Sequence, residues 1–436
     1  MRFAPSIVAG AAGIAVAAGL AIPETEAAVQ GGTVQAPRFE VDPYWPKPLP
    51  NHWLLGSTTG IAIDARDHVY VIHLTDSFTA RTETGAGPQN NNITPAGECC
   101  SAAPNVLEFD PAGNLVKSWG GPGQGYEWPV QNAGLGLDPD GNLWIGGMGG
   151  TDFRVLKFSK DGNFVAQYGK PAAFVTPNPG APAAADTAYQ GQSPGRGQAA
   201  GGRAGGRGGR GGRGAAPALP PASTSTDAFG GATAFAFDAG SAEVYVADGM
   251  RNRRVAVVDM KTGAIKRFFG AYGAAPDDAA PPAASPNDLP KQFSGVRCVE
   301  SAADGMIYVC DSRNNRIQVF QKDGKFVREA RIAPNTKANG SVWEVAFSRD
   351  PQQRYLYVAD GSNMRVHVLE RSSLNHLTSF GEGGRYPGQF LAVSGVATDS
   401  KGNLYTIEAD QGKRLQRFVF KGVGPVVKDQ GVLWPK

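Results

Sequence analysis

The residues of this chain that could do chemistry are few and sort into three groups. The five histidines are His52, His68, His73, His367 and His376. A catalytic zinc takes about three protein ligands and leaves one position open, and these histidines are scattered: His68 falls in a turn and His367 within an expected strand. His73 ends an expected strand, where a ligand-binding or proton-transfer role is open to it. The four cysteines form the second group. Cys298 and Cys310 lie on neighbouring strands of one expected hairpin, where a disulfide is feasible if the geometry permits. Cys99 and Cys100 are adjacent, so they form either a strained vicinal disulfide or separate thiols. The third group is a repeated pair: Asp248, Asp311, Asp360 and Glu408 each precede an arginine, namely Arg254, Arg316, Arg365 and Arg414, at nearly constant spacing, and Arg154 holds the same place once more.

Two readings of that pair differ in kind. Bidentate arginine–carboxylate contacts brace loops, and a brace is needed in every repeat. A catalytic group is needed once, so repetition favours architecture. The four acids, together with His73, could alternatively ring a channel mouth and bind a ligand or a hard divalent cation such as calcium. No nucleophile elbow, phosphate-cradling glycine loop or Cys-x-x-Cys site accompanies them.

What must position these residues is an internal repeat. Six short stretches open on an aromatic: Tyr70-Val71-Ile72, Trp144-Ile145-Gly146, Tyr245-Val246-Ala247, Tyr308-Val309-Cys310, Tyr357-Val358-Ala359 and Tyr405-Thr406-Ile407. An apolar stretch precedes each, often across a turn such as Asp138-Pro139-Asp140-Gly141-Asn142, and another hairpin follows. Each unit reads as four short antiparallel strands. A sheet that small cannot bury both faces alone, and six packed around an axis can. The expected fold is therefore all-β, a six-bladed β-propeller of four-stranded blades. The sixth unit lacks a fourth strand, which the N-terminal segment should supply. Trp53-Leu54-Leu55-Gly56 is the candidate there, and the tail 425–434 is the alternative.

The run Tyr308-Val309-Cys310-Asp311-Ser312-Arg313-Asn314-Asn315-Arg316-Ile317-Gln318-Val319-Phe320, followed by Asp323-Gly324-Lys325, resembles the NHL repeat, and weaker versions cover most of 56–420. That family includes enzymes, receptor ectodomains and binding modules, so the resemblance implies the fold rather than an activity. Trp128-Pro129 before Gly134-Leu135-Gly136-Leu137-Asp138 faintly resembles the peptidyl-hydroxyglycine amidating lyases, which are six-bladed propellers. Their resemblance implies a central zinc held by histidines at the starts of inner strands. The matching stretches here contain none.

The ends and the irregular segments complete the layout. Residues 1–27 read as a secretory signal with cleavage near Ala27 and Ala28, so the protein is expected to be secreted or periplasmic, with no stable membrane insertion after signal removal. The propeller should span 38–436. Two excursions interrupt the period, 74–104 inside the first blade and 171–228 between the second and third. In an antiparallel blade both connections open on one side of the disc, so both should decorate one face. The second, with Arg203, Arg207, Arg210 and Arg213 set among glycines, has too little apolar surface to fold and is expected to be disordered. Its deletion should barely alter melting. The formal charge of +3 owes much to that stretch, and gives no support to nucleic-acid binding. The expected function is a binding module for a small molecule, glycan or protein partner, working through the excursion-bearing face. A lyase or lactone hydrolase using a divalent cation, calcium or zinc, is the alternative.

Overall fold

The turns come first, because they decide where each strand reverses. Asp138 Oδ1 accepts the amides of Asp140 (3.1 Å) and Asn142 (2.8 Å), and Gly141 takes φ +81°. Asp399 does the same for Lys401 and Asn403, with Gly402 at φ +82°. Glycine enters this left-handed region without steric cost, so the aspartate and glycine together close a hairpin.

The protein, seen as a computed structural model, is described for residues 33–435 apart from 80–81, 84, 87, 90–91, 96, 171–221 and 280–289. The expected signal segment and nearly all of the second excursion lie outside the described residues. Six four-stranded antiparallel blades are present. From the channel outwards, blade 1 comprises Ser57–Ile63, Val69–Leu74, Val106–Phe109 and Leu115–Trp119. Blades 2 to 5 begin with inner strands Asn132–Leu137, Ala232–Asp238, Val296–Ser301 and Glu344–Phe347, each followed by three more strands in chain order. Blade 6 comprises Val393–Thr398, Leu404–Glu408 and Leu415–Val426.

Each inner strand packs against the inner strands of both neighbours, blade 6 against blade 1 included, so the ring is closed. The core lies between blades. Tyr70, Trp144, Tyr245, Tyr308, Tyr357 and Tyr405, each second or third in its blade's second strand, are all buried, and one apolar cluster runs through Tyr245, Phe293, Tyr308, Phe320 and Phe347. Full burial of a large apolar side chain contributes about 1.5–3 kcal/mol, so hiding these aromatics holds neighbouring blades face to face.

Closure differs in detail from the sequence reading. The N-terminal segment does complete blade 6, but the strand is Val34–Asp42, paired with Leu415–Val426 from Val34↔Val426 to Asp42↔Arg417. Trp53–Leu54, the expected closing strand, instead pairs in parallel with Ser101–Ala102 of the first excursion. The tail runs along the outer strand of blade 5: the Ser379 amide donates to Lys428 O (3.0 Å) and the Gly381 amide to Gly431 O (2.7 Å). Phe39 explains the choice, since its ring packs on Tyr357, Phe380 and Phe420 and so ties blade 6 to blade 5.

Candidate functional site at the mouth of the channel

The residue three places after each of these aromatics stands at the end of the second strand on the excursion-bearing face, in blade 1 one residue before it. In order these are His73, Gly147, Asp248, Asp311, Asp360 and Glu408. Four of them accept the amide of the loop that enters their own blade. Gly56 donates to His73 Nδ1 (3.1 Å), Gly230 to Asp248 (2.6 Å), Ser294 to Asp311 (2.7 Å) and Leu391 to Glu408 (2.6 Å). In blade 2 the place falls to Gly147, and Asp152 reaches across to accept the amides of Val130 (2.8 Å), Gln131 (3.0 Å) and Gly149 (2.7 Å). A Cβ at residue 147 would lie 2.7 Å from that of Asp152, so only glycine leaves room. Sequence reasoning missed Asp152, although Gly147 breaking the pattern was the available signal.

The arginines finish the brace in three blades. Arg254 and Arg316 hold Asp248 and Asp311 through Nε at 2.8 Å, with all four side chains fully buried. Arg414 holds Glu408 and donates to Gly384 O (3.0 Å) and Gln389 O (2.6 Å) of the entering loop. Arg254 likewise donates to Ser223 O (2.8 Å) and Ala228 O (2.9 Å). Residues 222–228, counted with the second excursion in the sequence reading, are thus packed against blade 3. Arg365 and Arg154 depart from the pairing. Asp360 bonds His367 Nε2 (3.0 Å) and Asn363, while Arg365 reaches Asp429 and Arg154 reaches Glu127. None of the four acids lines the channel mouth, and their donors come from the protein itself. Burial raises the Asp311 carboxyl, against the pull of Arg316.

His73 belongs to this set. Its Nδ1 accepts from Gly56 while Nε2 donates to Pro104 O (2.9 Å), which defines the neutral tautomer. Burial pushes its pKa down to about 4, although the carbonyl contacts pull the other way. It positions the loop and does not face the channel.

The channel mouth has a different character. A cavity of about 560 Å³ opens there, lined by residues at or near the start of every inner strand: Thr59, Ala133, Thr233, Arg297, Glu344 and Ser394. In five blades the strand register shifts at this end, at Thr59, Gly134, Thr233/Ala234, Arg297 and Ser394. Such bulges re-aim side chains. Three of the hydroxyls bind neighbouring blades together: Thr59 contacts Asn132 (3.2 Å), Thr233 donates to Arg297 O (2.9 Å) and Ser394 to Thr58 O (3.0 Å).

Blades 4 and 5 break the sequence of small residues with two ionisable side chains, Arg297 and Glu344. The Arg297 guanidinium lies 3.8 Å from the centre of the Trp343 ring, and Trp343 Nε1 donates to Gly340 O (2.8 Å). Glu344 is partly buried on the next strand. Burial raises its pKa well above the ordinary carboxylate range, the charge of Glu300 raises it further, and Arg297 opposes both without prevailing. Glu300 is itself pushed up to about 8 by burial, against the pull of Arg349. The shift favours the protonated carboxyl, the form that can donate a hydrogen bond.

The first excursion walls the mouth. Asp76, Ser77 and Thr79 line the cavity, and Lys413 of blade 6 clamps Glu83 (2.7 Å) with its ammonium 5.4 Å from the Phe78 ring centre. Burial would raise the Glu83 carboxyl, but the donors Lys413 and Thr82 outweigh it and leave its pKa lowered. Within this excursion Cys99 and Cys100 are joined, with Cys99 beside Gly85. Cys298 and Cys310 are also joined, across the first two strands of blade 4. Two groups of potential ligands occur among the described residues: Cys298, Cys310 and Glu344, and Asp64, His68 and Glu108. The second lies at the hairpin end away from the excursions, where His68 and Arg66 already pair with Glu108.

No family model matches this sequence, and no curated protein matches it. Among solved structures, the chain is similar to a structural genomics protein of unknown function from Bacteroides thetaiotaomicron VPI-5482, at 12% identity and a TM-score of 0.47, over 89% of this chain and 77% of that one.

Proposed function

We propose that the protein is an exported propeller of NHL type that binds a small polar ligand, such as a glycan fragment, in the mouth of its central channel. One observation carries the reading: the cavity of about 560 Å³ on the excursion-bearing face, to which every blade contributes a side chain. Its size falls among small-molecule sites, which run from about 300 to 1,000 Å³. Its wall mixes donors and acceptors, among them Gln131, Asn339, Arg297 and Glu344, with the apolar Met148, Met250 and Leu391. An oxygen-rich molecule with one apolar face suits that mixture.

Calorimetric titration with a series of neutral mono- and disaccharides tests it. The expected result is one site per chain, weakened at least about tenfold by Arg297→Ala, the range typical of losing one charged hydrogen bond, and abolished by Gln411→Trp, which plugs the mouth. Absence of any carbohydrate binding at millimolar concentration, or binding that survives the plug, counts against it.

A catalytic reading, lyase or lactone hydrolase, draws on a separate observation. Glu344 lines the cavity with its pKa raised by burial, the direction of shift a general acid needs. It requires turnover of a lactone panel that Glu344→Gln abolishes while the fold is retained. Equal turnover by that variant removes it.

A further inference from the structure

Cys298 and Cys310 face one another across the antiparallel ladder of blade 4, with Cα atoms 4.9 Å apart and both side chains fully buried. Directly opposed residues project from the same side of a sheet. Here that side meets the inner strand of blade 5, and both sulfurs and a Glu344 carboxylate oxygen all lie within 4.8 Å of one another. Glu344 also lines the cavity, so the cluster has a route to solvent past its carboxylate.

We propose that, once the bridge between Cys298 and Cys310 is opened, their two sulfurs and the Glu344 carboxylate bind one thiophilic divalent cation, zinc being the type. The inference is independent of the ligand-binding reading, since it rests on three side chains and not on what enters the mouth. It also differs from the cation expected of the acid ring, whose members are occupied by their own arginine, histidine and amide partners.

The chemistry of the donors selects the cation. Two thiolates with one carboxylate suit zinc and its soft relatives, whereas calcium and magnesium take oxygen ligands. With zinc–sulfur bonds of about 2.3 Å, tetrahedral geometry places two sulfurs roughly 3.8 Å apart. Cysteines opposed at 4.9 Å between Cα atoms can span that after side-chain rotation alone. Three protein ligands leave a fourth position, and the carboxylate's place at the cavity wall directs it to solvent. This is the arrangement of an open site rather than a closed structural one.

The same sulfurs cannot be bridged and ligating at once, so redox state gates the site. A dithiol reductant supplies two electrons and two protons: the protein disulfide becomes two thiols and the reductant closes to its cyclic disulfide. Cation binding then displaces the two thiol protons, and the proton that burial favours on Glu344, to solvent as two sulfur–metal bonds and one oxygen–metal bond form. Because the donors come from blades 4 and 5, the cation would cross-link the seam that the disulfide, confined to blade 4, leaves unlinked.

The test is a cobalt(II) titration of the full chain, before and after reduction by a phosphine that is removed first. Reduced protein is expected to take one equivalent with sulfur-to-cobalt charge-transfer absorption, and zinc should displace it. Oxidised protein should show none. Glu344→Gln, which leaves both cysteines in place, should weaken the site at least about tenfold. A Cys298→Ser, Cys310→Ser double variant should lose the absorption. If that variant fails to fold, zinc protection of the reduced wild-type thiols against alkylation supplies the same information. The proposal is overturned if reduced protein shows no charge-transfer absorption, if Glu344→Gln binds cobalt as tightly as wild type, or if zinc leaves alkylation unchanged.

Discussion

Two rings of residues lie at the same end of this propeller, and they obey opposite rules. The outer ring, at the ends of the second strands, is His73, Asp152 standing in for Gly147, Asp248, Asp311, Asp360 and Glu408, and five of the six hold the loop entering their blade. The inner ring, at the cavity, is Thr59, Ala133, Thr233, Arg297, Glu344 and Ser394, and its two ionisable members fall side by side on blades 4 and 5. Every blade must anchor its loop, so the outer ring repeats in role even where the residue changes from aspartate to histidine. The inner ring anchors no entering loop, so it is free to be asymmetric. Repetition marks architecture, and the asymmetric positions are where the proposed ligand would be recognised.

The comparison breaks first, and hardest, in the outer ring. Arg316→Ala leaves Asp311 buried without its cation, and should cost about 3–5 kcal/mol in urea unfolding. Arg297→Ala in the inner ring removes an interaction with Trp343 and should cost less than about 1 kcal/mol. Similar losses at the two positions would erase the distinction.

Acid should act next, through the histidine member. His73 has a folded pKa of about 4 against 6.5 when unfolded, so the unfolded chain takes up its proton first. The associated stability is present above about 6.5 and is lost as pH falls from there to about 4, on the order of 3 kcal/mol in all for a fully buried group. Unfolding measured across that window in His73→Asn should lose this part of the slope. An unchanged slope would mean that His73 is not held neutral.

The smallest effect sharpens the boundary of the packed protein. Deleting 171–221, whose glycine-, alanine- and proline-rich composition offers little apolar surface to bury, should move stability by no more than about 0.5 kcal/mol. Extending the deletion to 228 removes the carbonyls that Arg254 bonds at Ser223 and Ala228, and should destabilise measurably. Identical melting of the two deletions would show that Arg254 does not depend on that segment.

How much of this was legible depended on whether a feature recurs. The aromatic openings and Asp-Gly turns appear in nearly every unit, and so announced the blades. The closing strand appears once, more than 370 positions from its partner, and nothing local distinguishes Val34–Asp42 from Trp53–Leu54. Phe39 finding a slot between blades 5 and 6 makes the choice. Arg297, Glu344, Glu300 and the two buried cysteines carry no linear motif, because their partners come from separate blades.

Alone, the sequence determined the number of blades and the antiparallel course of their strands, because local turn chemistry and the burial period of a strand are properties of neighbouring residues. Tertiary structure decided which acids are braces, that His73 is one of them, and that Glu344 stands between Glu300, Arg297 and a pair of sulfurs. A carboxyl's proton and a sulfur's partners depend on charge and burial within a few ångströms of space, and closure of the ring brings together residues that the chain keeps far apart.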